Sequence, residues 1–204
     1  AGRYYTWLVD VLAPGTGIVR NRVTDPWSLS LNANSQRSLA VSLADPRTQP
    51  AGWSATPRPN RVNAPTDLVI YELHVRDFSI GDASVPEPLR GRYPAFALPD
   101  SRGLAHLQAL ADSGVTDIHL LPAYDLSTAP ESGCITPVIA GGPADTTQQA
   151  AIAAVRDRDC FNWGYDPWHY TVPEGSYATD AIDGFVRIRE FRAMVAALHR
   201  RGLR

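Results

Sequence analysis

Lysine is missing altogether: all 19 basic residues among the 204 are arginine, which reads as genomic bias, since no single chemistry requires it. Cysteine is nearly missing as well, and a pair at Cys134 and Cys160 is too few for a disulfide-built scaffold. No run of 18 apolar residues occurs, so no transmembrane helix is expected. The N-terminus lacks a charged stretch leading into an apolar core, so no signal peptide is expected there. Charge of one sign is also lacking. Nineteen basic against 21 acidic residues gives −2, which offers no basic face for nucleic acid and no acidic tail. What is present is 44% apolar and 20% charged, the composition of a globular chain of one or two domains.

The pattern changes along the chain. Tyr5, Trp7, Val9 and Val11 alternate with Thr6, Leu8 and Asp10, predicting a half-buried strand over Tyr4 to Leu12. Pro14-Gly15-Thr16-Gly17 and Asp25-Pro26 read as turns, and Leu39, Val41 and Leu43 as a further short strand. Pro46, Pro50, Pro57, Pro59 and Pro65 then mark an extended connector. Beyond it, Leu68 to Tyr71 predicts a strand buried on both faces. Ser101 is the expected N-cap of a helix carrying Leu104, Leu107, Leu110 and Ala111, with Gly114 at its end. Val115 to Leu121 reads as a second strand, stopped by Pro122. Strand, helix, strand at this spacing argues for a parallel βαβ unit. Residues 126–160 are too long and irregular for an α/β loop and read as an insertion, with one helix near Thr147 to Val155. Phe185, Ile188, Phe191, Val195 and Leu198 make a helical stripe, with Arg187, Arg189 and Arg192 expected on its solvated face and Gly202 at its C-terminus. Leu203 is expected to open another strand.

Phe161 to Tyr177 holds six of the 18 aromatic residues: Phe161, Trp163, Tyr165, Trp168, Tyr170 and Tyr177. Asn162, Asp166, His169 and Glu174 are interleaved, and Gly164, Pro167, Pro173 and Gly175 fix the backbone. Sugar sites have this composition, because ring C–H groups stack on aromatic faces while hydroxyls bond carboxylates and amides. An aromatic-rich structural loop is the alternative.

Three stretches resemble type I pullulanases and related debranching enzymes. They are Val69-Ile70-Tyr71-Glu72-Leu73-His74-Val75-Arg76-Asp77-Phe78-Ser79, His119-Leu120-Leu121-Pro122-Ala123-Tyr124-Asp125, and Phe161-Asn162-Trp163-Gly164-Tyr165-Asp166-Pro167 with its continuation to Asp180. Phe161 stands where that family commonly has tyrosine. The resemblance implies an α/β fold: the start of a (β/α)8 TIM barrel in residues 67–204, interrupted by the insertion at 126–160. Before it, residues 1–45 are similar to the end of a β-sandwich starch-binding-type module, joined by a Pro-rich linker at 46–66. It implies an enzyme that hydrolyses α-1,6-glucosidic links in pullulan, starch or limit dextrins with retention. Such chemistry needs a carboxylate nucleophile and a carboxylic acid about 5–5.5 Å apart. In the family these come from the fourth and fifth strands, with a stabilising Asp from the seventh, so they are expected outside this chain. The fragment is expected to be inactive alone. Tyr165 is implied to stack on the glucose beside the scissile bond and Asp166 to support that subsite, with Trp163 and His169 as further substrate-binding candidates. The implied partner is an α-glucan. An isoamylase or branching-enzyme relative, or a non-catalytic α-glucan-binding protein, is the alternative.

Other groups read as structural. His74 and Asp77 suit a buried hydrogen-bonded role, and His119 a core position in its strand. Glu72 and Asp125 are not taken as a glycosidase pair. No His/Cys cluster has zinc spacing, so no metal site is expected. Calcium in the full-length enzyme is compatible with the resemblance, but no oxygen-rich loop has the spacing to place it. Gly141-Gly142-Pro143 is not a phosphate loop. Cys134 and Cys160 flank the insertion and fit either a disulfide or two free thiols. The family includes exported and plastid members, and of these a secreted or cell-surface location is favoured.

Overall fold

The computed structural model describes residues 2–142 and 144–204; Pro143, of the Gly141-Gly142-Pro143 stretch, lies outside them. Mixed α/β structure is organised as four two-stranded sheets. Strand β1 (Arg3–Tyr5) pairs antiparallel with β4 (Ser38–Ala40), and β2 (Trp7–Ala13) forms a hairpin with β3 (Gly17–Val23) through the expected Pro14–Thr16 turn. Strand β5 (Ile70–Leu73) leads into a short helix α1 (Val75–Ile80) and then α2 (Arg102–Asp112), which returns the chain to β6 (Asp117–Leu120), parallel to β5. Next come β7 (Tyr124–Leu126), α3 (Thr147–Ala153), β8 (Pro167–Pro173), antiparallel to β7, and the long α4 (Gly184–His199).

Local chemistry explains the helix ends. Ser101 Oγ accepts the Leu104 N–H at 3.2 Å, and Gly114 at φ +103° takes up the left-handed turn after α2. Asp183 caps α4 through Phe185 N–H at 3.0 Å. The core lies between β5, α2, α4 and a helical turn at Tyr93–Ala97, where Leu73, Phe96, Leu104, Leu107, Met194 and Leu198 are buried together. Phe78 stacks on Phe96 with ring centroids 4.7 Å apart. Leu203 is fully buried, and Arg204 exchanges backbone bonds with Thr116 and Ile118 alongside β6.

Several expectations change. The β2–β3 hairpin is not half-buried, because little packs on it beyond the edge-on contact of Tyr5 with Trp7; Trp7, Val9 and Leu12 are all exposed. Leu68 to Tyr71 is not buried on both faces, since β5 starts at Ile70 and the described residues lay no second layer over this end of the sheet; Val69 and Ile70 are exposed. For the same reason His119 is exposed beside Glu72 at 3.6 Å instead of lying in a core. The strand expected through Leu43 stops at Ala40. The Pro-rich stretch makes short helical turns at Pro46–Thr48, Trp53–Ala55 and Pro65–Asp67, and it packs on α4: Arg192 donates to Leu43 O at 2.9 Å and stands over the Trp53 ring. Cys134 and Cys160 are joined in a disulfide, Cα atoms 5.0 Å apart.

The largest departure is Arg187. It faces inward from α4 at 0% exposure, although the helical stripe predicted a solvated position. Its guanidinium grips Glu131 with two bonds of 2.8 Å, donates to Ala181 O and Pro173 O, and lies 3.8 Å from Asp125. A planar fork on a carboxylate is the arginine geometry that survives burial. Glu174 completes the cluster, accepting Leu126 N–H and Ser176 N–H at 2.8 Å each. Burial, then the nearby Glu131 charge, pushes the Glu174 carboxyl up to about 8. Burial raises Glu131 also, against the pull of Arg187.

Two outcomes follow for the full-length protein. Arg187→Met leaves Glu131 and Asp125 buried without their cation and costs roughly 3–5 kcal/mol of unfolding free energy in urea titration; a loss under about 1 kcal/mol contradicts the pairing. Glu174 has a folded-state pKa above its ordinary 4.5, so the folded state holds the extra proton. Its stabilising contribution is complete below about pH 4.5 and is lost as pH rises through about 8. Unfolding free energy measured from pH 5 to 8 falls in the wild type and falls less in Glu174→Gln; equal slopes would remove Glu174 as the cause.

Candidate sugar-binding site

The aromatic segment begins at the disulfide and is fastened to β5 from below. Asp77 N–H donates to His74 Nδ1 at 3.2 Å, so the proton of a neutral His74 sits on Nε2, which lies 3.3 Å from Asn162 Oδ1. Tyr177 OH donates to the same Asn162 oxygen at 2.8 Å. His74 therefore has the buried structural role expected of it, whereas Asp77 is exposed and contributes its backbone N–H, because its side chain points to solvent beside Arg76. With Asn162 held, the chain turns at Gly164, φ +77°, where an added Cβ would stand 2.6 Å from the Pro122 carbonyl oxygen beyond β6. Only glycine combines that dihedral with that approach.

Outside this anchored turn the side chains face solvent. Trp163 is 63% and Tyr165 67% exposed. Phe161 meets Trp163 edge-on with centroids 5.2 Å apart, and Arg76 lies over the Phe161 ring. Asp166 bridges to the start of the insertion: its Oδ2 accepts Thr128 N–H at 2.8 Å, Ser127 Oγ–H at 3.1 Å and the Thr128 hydroxyl, while its carbonyl accepts Ser127 N–H. No donor among the described residues reaches Oδ1. The turn thus presents two exposed aromatic faces beside a carboxylate whose position is fixed by its own loop. Such a surface can stack on a pyranose ring and accept from its hydroxyls.

The structure brings Trp163, Tyr165 and Asp166 onto one short turn. It separates His169 from them. His169, a substrate-binding candidate from the sequence, is 3% exposed, with Nδ1 2.6 Å from Asp125 and Nε2 2.8 Å from Thr24 Oγ1. The physical reason is that residues 167–173 are strand β8: His169 points inward while its neighbours Trp168 and Tyr170 point out, and a register shift farther along the strand brings Val172 inward as well. Period two in Trp168-His169-Tyr170 was the available signal. Ser127 and Thr128, which position Asp166, carry no local sequence signal.

Among the described residues, one group of three carboxylates comes close together: Asp125, Glu131 and Glu174. Sealed from solvent, with Arg187 gripping Glu131 and lying against Asp125, this group is a structural cluster, unsuited to a glycosidase pair or to calcium. No helix described here is long and apolar enough to cross a membrane.

No family model matches the chain. It is 37% identical to a pullulanase of Klebsiella aerogenes over 97% of its own length, and 39% identical to the chloroplastic pullulanase 1 of Arabidopsis thaliana over 99%. In both cases it spans only 22% of the relative. The crystal structure of a Klebsiella pneumoniae pullulanase complexed with maltotriose superposes with a TM-score of 0.86 at 35% identity, covering 99% of this chain and 23% of that one.

Gly164→Ala tests the turn: the left-handed dihedral alone costs about 1–2 kcal/mol, and the approach to Pro122 adds to it. Reduced unfolding free energy in urea titration is the expected outcome. An unchanged value would show that the turn does not need glycine.

Proposed function

The chain belongs to the type I pullulanase family, and on that premise we propose that it supplies the first part of the catalytic barrel of a debranching enzyme that hydrolyses α-1,6-glucosidic bonds with retention. In this reading β5 and β6, joined through α2, are the first two strands of a (β/α)8 barrel, and the backbone pairing of Arg204 beside β6 marks where a third lies. Residues 1–45 are the end of a β-sandwich module, 46–66 the connecting segment and 67–204 the barrel portion, with 126–160 inserted. The turn after β6 then sits at the carboxyl end of the strands, the face on which barrel enzymes carry their chemistry.

The observation that carries the reading is the exposed pair Trp163 and Tyr165 beside Asp166, on a turn whose backbone is braced by Gly164 and Asn162. Tyr165 stacks on a glucosyl ring next to the scissile bond, Asp166 accepts from its hydroxyls, and Trp163 extends the apolar face. Water is displaced and the sugar is held in a fixed orientation, which lets a nucleophile and an acid supplied by later strands act on it. His169 acts from beneath, as part of the buried hydrogen-bond chain. The substrates proposed are pullulan, amylopectin and limit dextrins.

Tyr165 in the full-length protein decides the matter. Stacking uses the ring face, so Tyr165→Phe keeps most activity on pullulan. Removing an aromatic from a packed site costs on the order of 3 kcal/mol, so Tyr165→Ala lowers kcat/KM by roughly a hundredfold. Its melting temperature moves little, because the side chain is exposed. Near-normal kcat/KM with a large fall in melting temperature would reject the role.

A further inference from the structure

Trp168 stands apart from the turn just described and has no assigned purpose. It projects from β8 at 54% exposure, on the face opposite buried His169. Two clefts open on either side of it. One, of about 300 Å3, is lined by Arg22, Thr24 and Gln36 from the N-terminal segment. The other, of about 350 Å3, is lined by Asn34, Thr128 and Asp157. Trp168 lines both. Arg22 and Gln36 are exposed, and their side chains make no hydrogen bond among the described residues. A guanidinium and an amide with free donors, lining the same cleft as an indole plate, offer a stacking surface and planar hydrogen-bond donors together.

We infer that Trp168 and its two flanking clefts form an accessory site for a linear α-1,4-glucan chain, separate from the glucose subsite at Tyr165. The inference rests on the debranching-enzyme reading for the class of sugar. Its placement comes from the structure. Trp168 follows Tyr165 by three residues, so their Cα atoms are at most about 11 Å apart. Thr128, in the second cleft, is also the residue that holds Asp166. A glucan lying over Trp168 is therefore kept close to the reactive face while its branch point is engaged elsewhere, and the gain is one of effective concentration.

Calorimetric titration of the full-length protein with maltohexaose tests this, using Tyr165→Ala as the background. Residual binding is expected in Tyr165→Ala, weakened about tenfold when Trp168→Ala is added and retained with Trp168→Phe. Arg22→Ala with Gln36→Ala in the same background weakens it as well, and these exposed positions give the answer if Trp168→Ala fails to fold. Equal affinity with and without Trp168, or no residual binding in Tyr165→Ala, overturns the accessory site and leaves the debranching reading standing. If the wild type binds neither maltohexaose nor pullulan, both fall together. A Trp168→Ala variant that loses stability while keeping its affinity assigns the indole to packing and likewise overturns the proposal.

Discussion

The contacts that tie the N-terminal segment, the base of the insertion and β8 to α4 converge on one buried guanidinium. Arg187 cannot leave water without its charge being met, and the groups that meet it come from places far apart in the chain: Glu131 from the insertion, Asp125 from β7, and carbonyls at Pro173 and Ala181. Those groups hold others in turn. Glu131 accepts Asn34 N–H at 2.7 Å and Gly175 N–H at 2.9 Å, and Asp125 receives Ser35 and His169. A single helix residue thereby fixes the N-terminal segment, the base of the insertion and β8 relative to α4. Buried ion pairs are poor sources of net stability, but breaking one is costly, so such a cluster constrains geometry more than it adds free energy.

That constraint reaches the exposed aromatic face indirectly. His169, bonded to Asp125, sets the register in which Trp168 and Tyr170 emerge from β8. Glu174 closes the far end of the same strand onto Leu126. Asp166, one residue before β8, is tied to Ser127 and Thr128, just past β7. The exposed aromatics thus rest on a floor of polar contacts, while the core of Phe96, Leu104, Leu107 and Met194 supports β5 from the other side.

How far this was legible in the sequence depends on the range of the interaction. Local signals were read correctly: Ser101 as a cap, the stripe of α2, the parallel β5–β6 pair and the length of α4. Partners distant in sequence were not legible. Arg187 sits at a position that periodicity assigns to solvent, and nothing near it in the chain announces Glu131, 56 residues earlier. His169 was misplaced for a simpler reason, since β8 is a strand of mixed composition, interrupted by prolines at both ends, and alternation in it is easy to overlook. Exposure of His119, Val69 and Ile70 reflects packing that depends on neighbours no short window contains.

The disulfide between Cys134 and Cys160 has a consequence for how this region can vary. By pinning the two ends of a 26-residue span together, immediately before Phe161, it makes the span a closed appendage. Residues can be added to or removed from the appendage without altering the distance its ends must bridge, so the cost of a longer loop is not passed to the aromatic turn that follows. The covalent knot separates a part of the chain free to diversify from a part whose geometry must be kept.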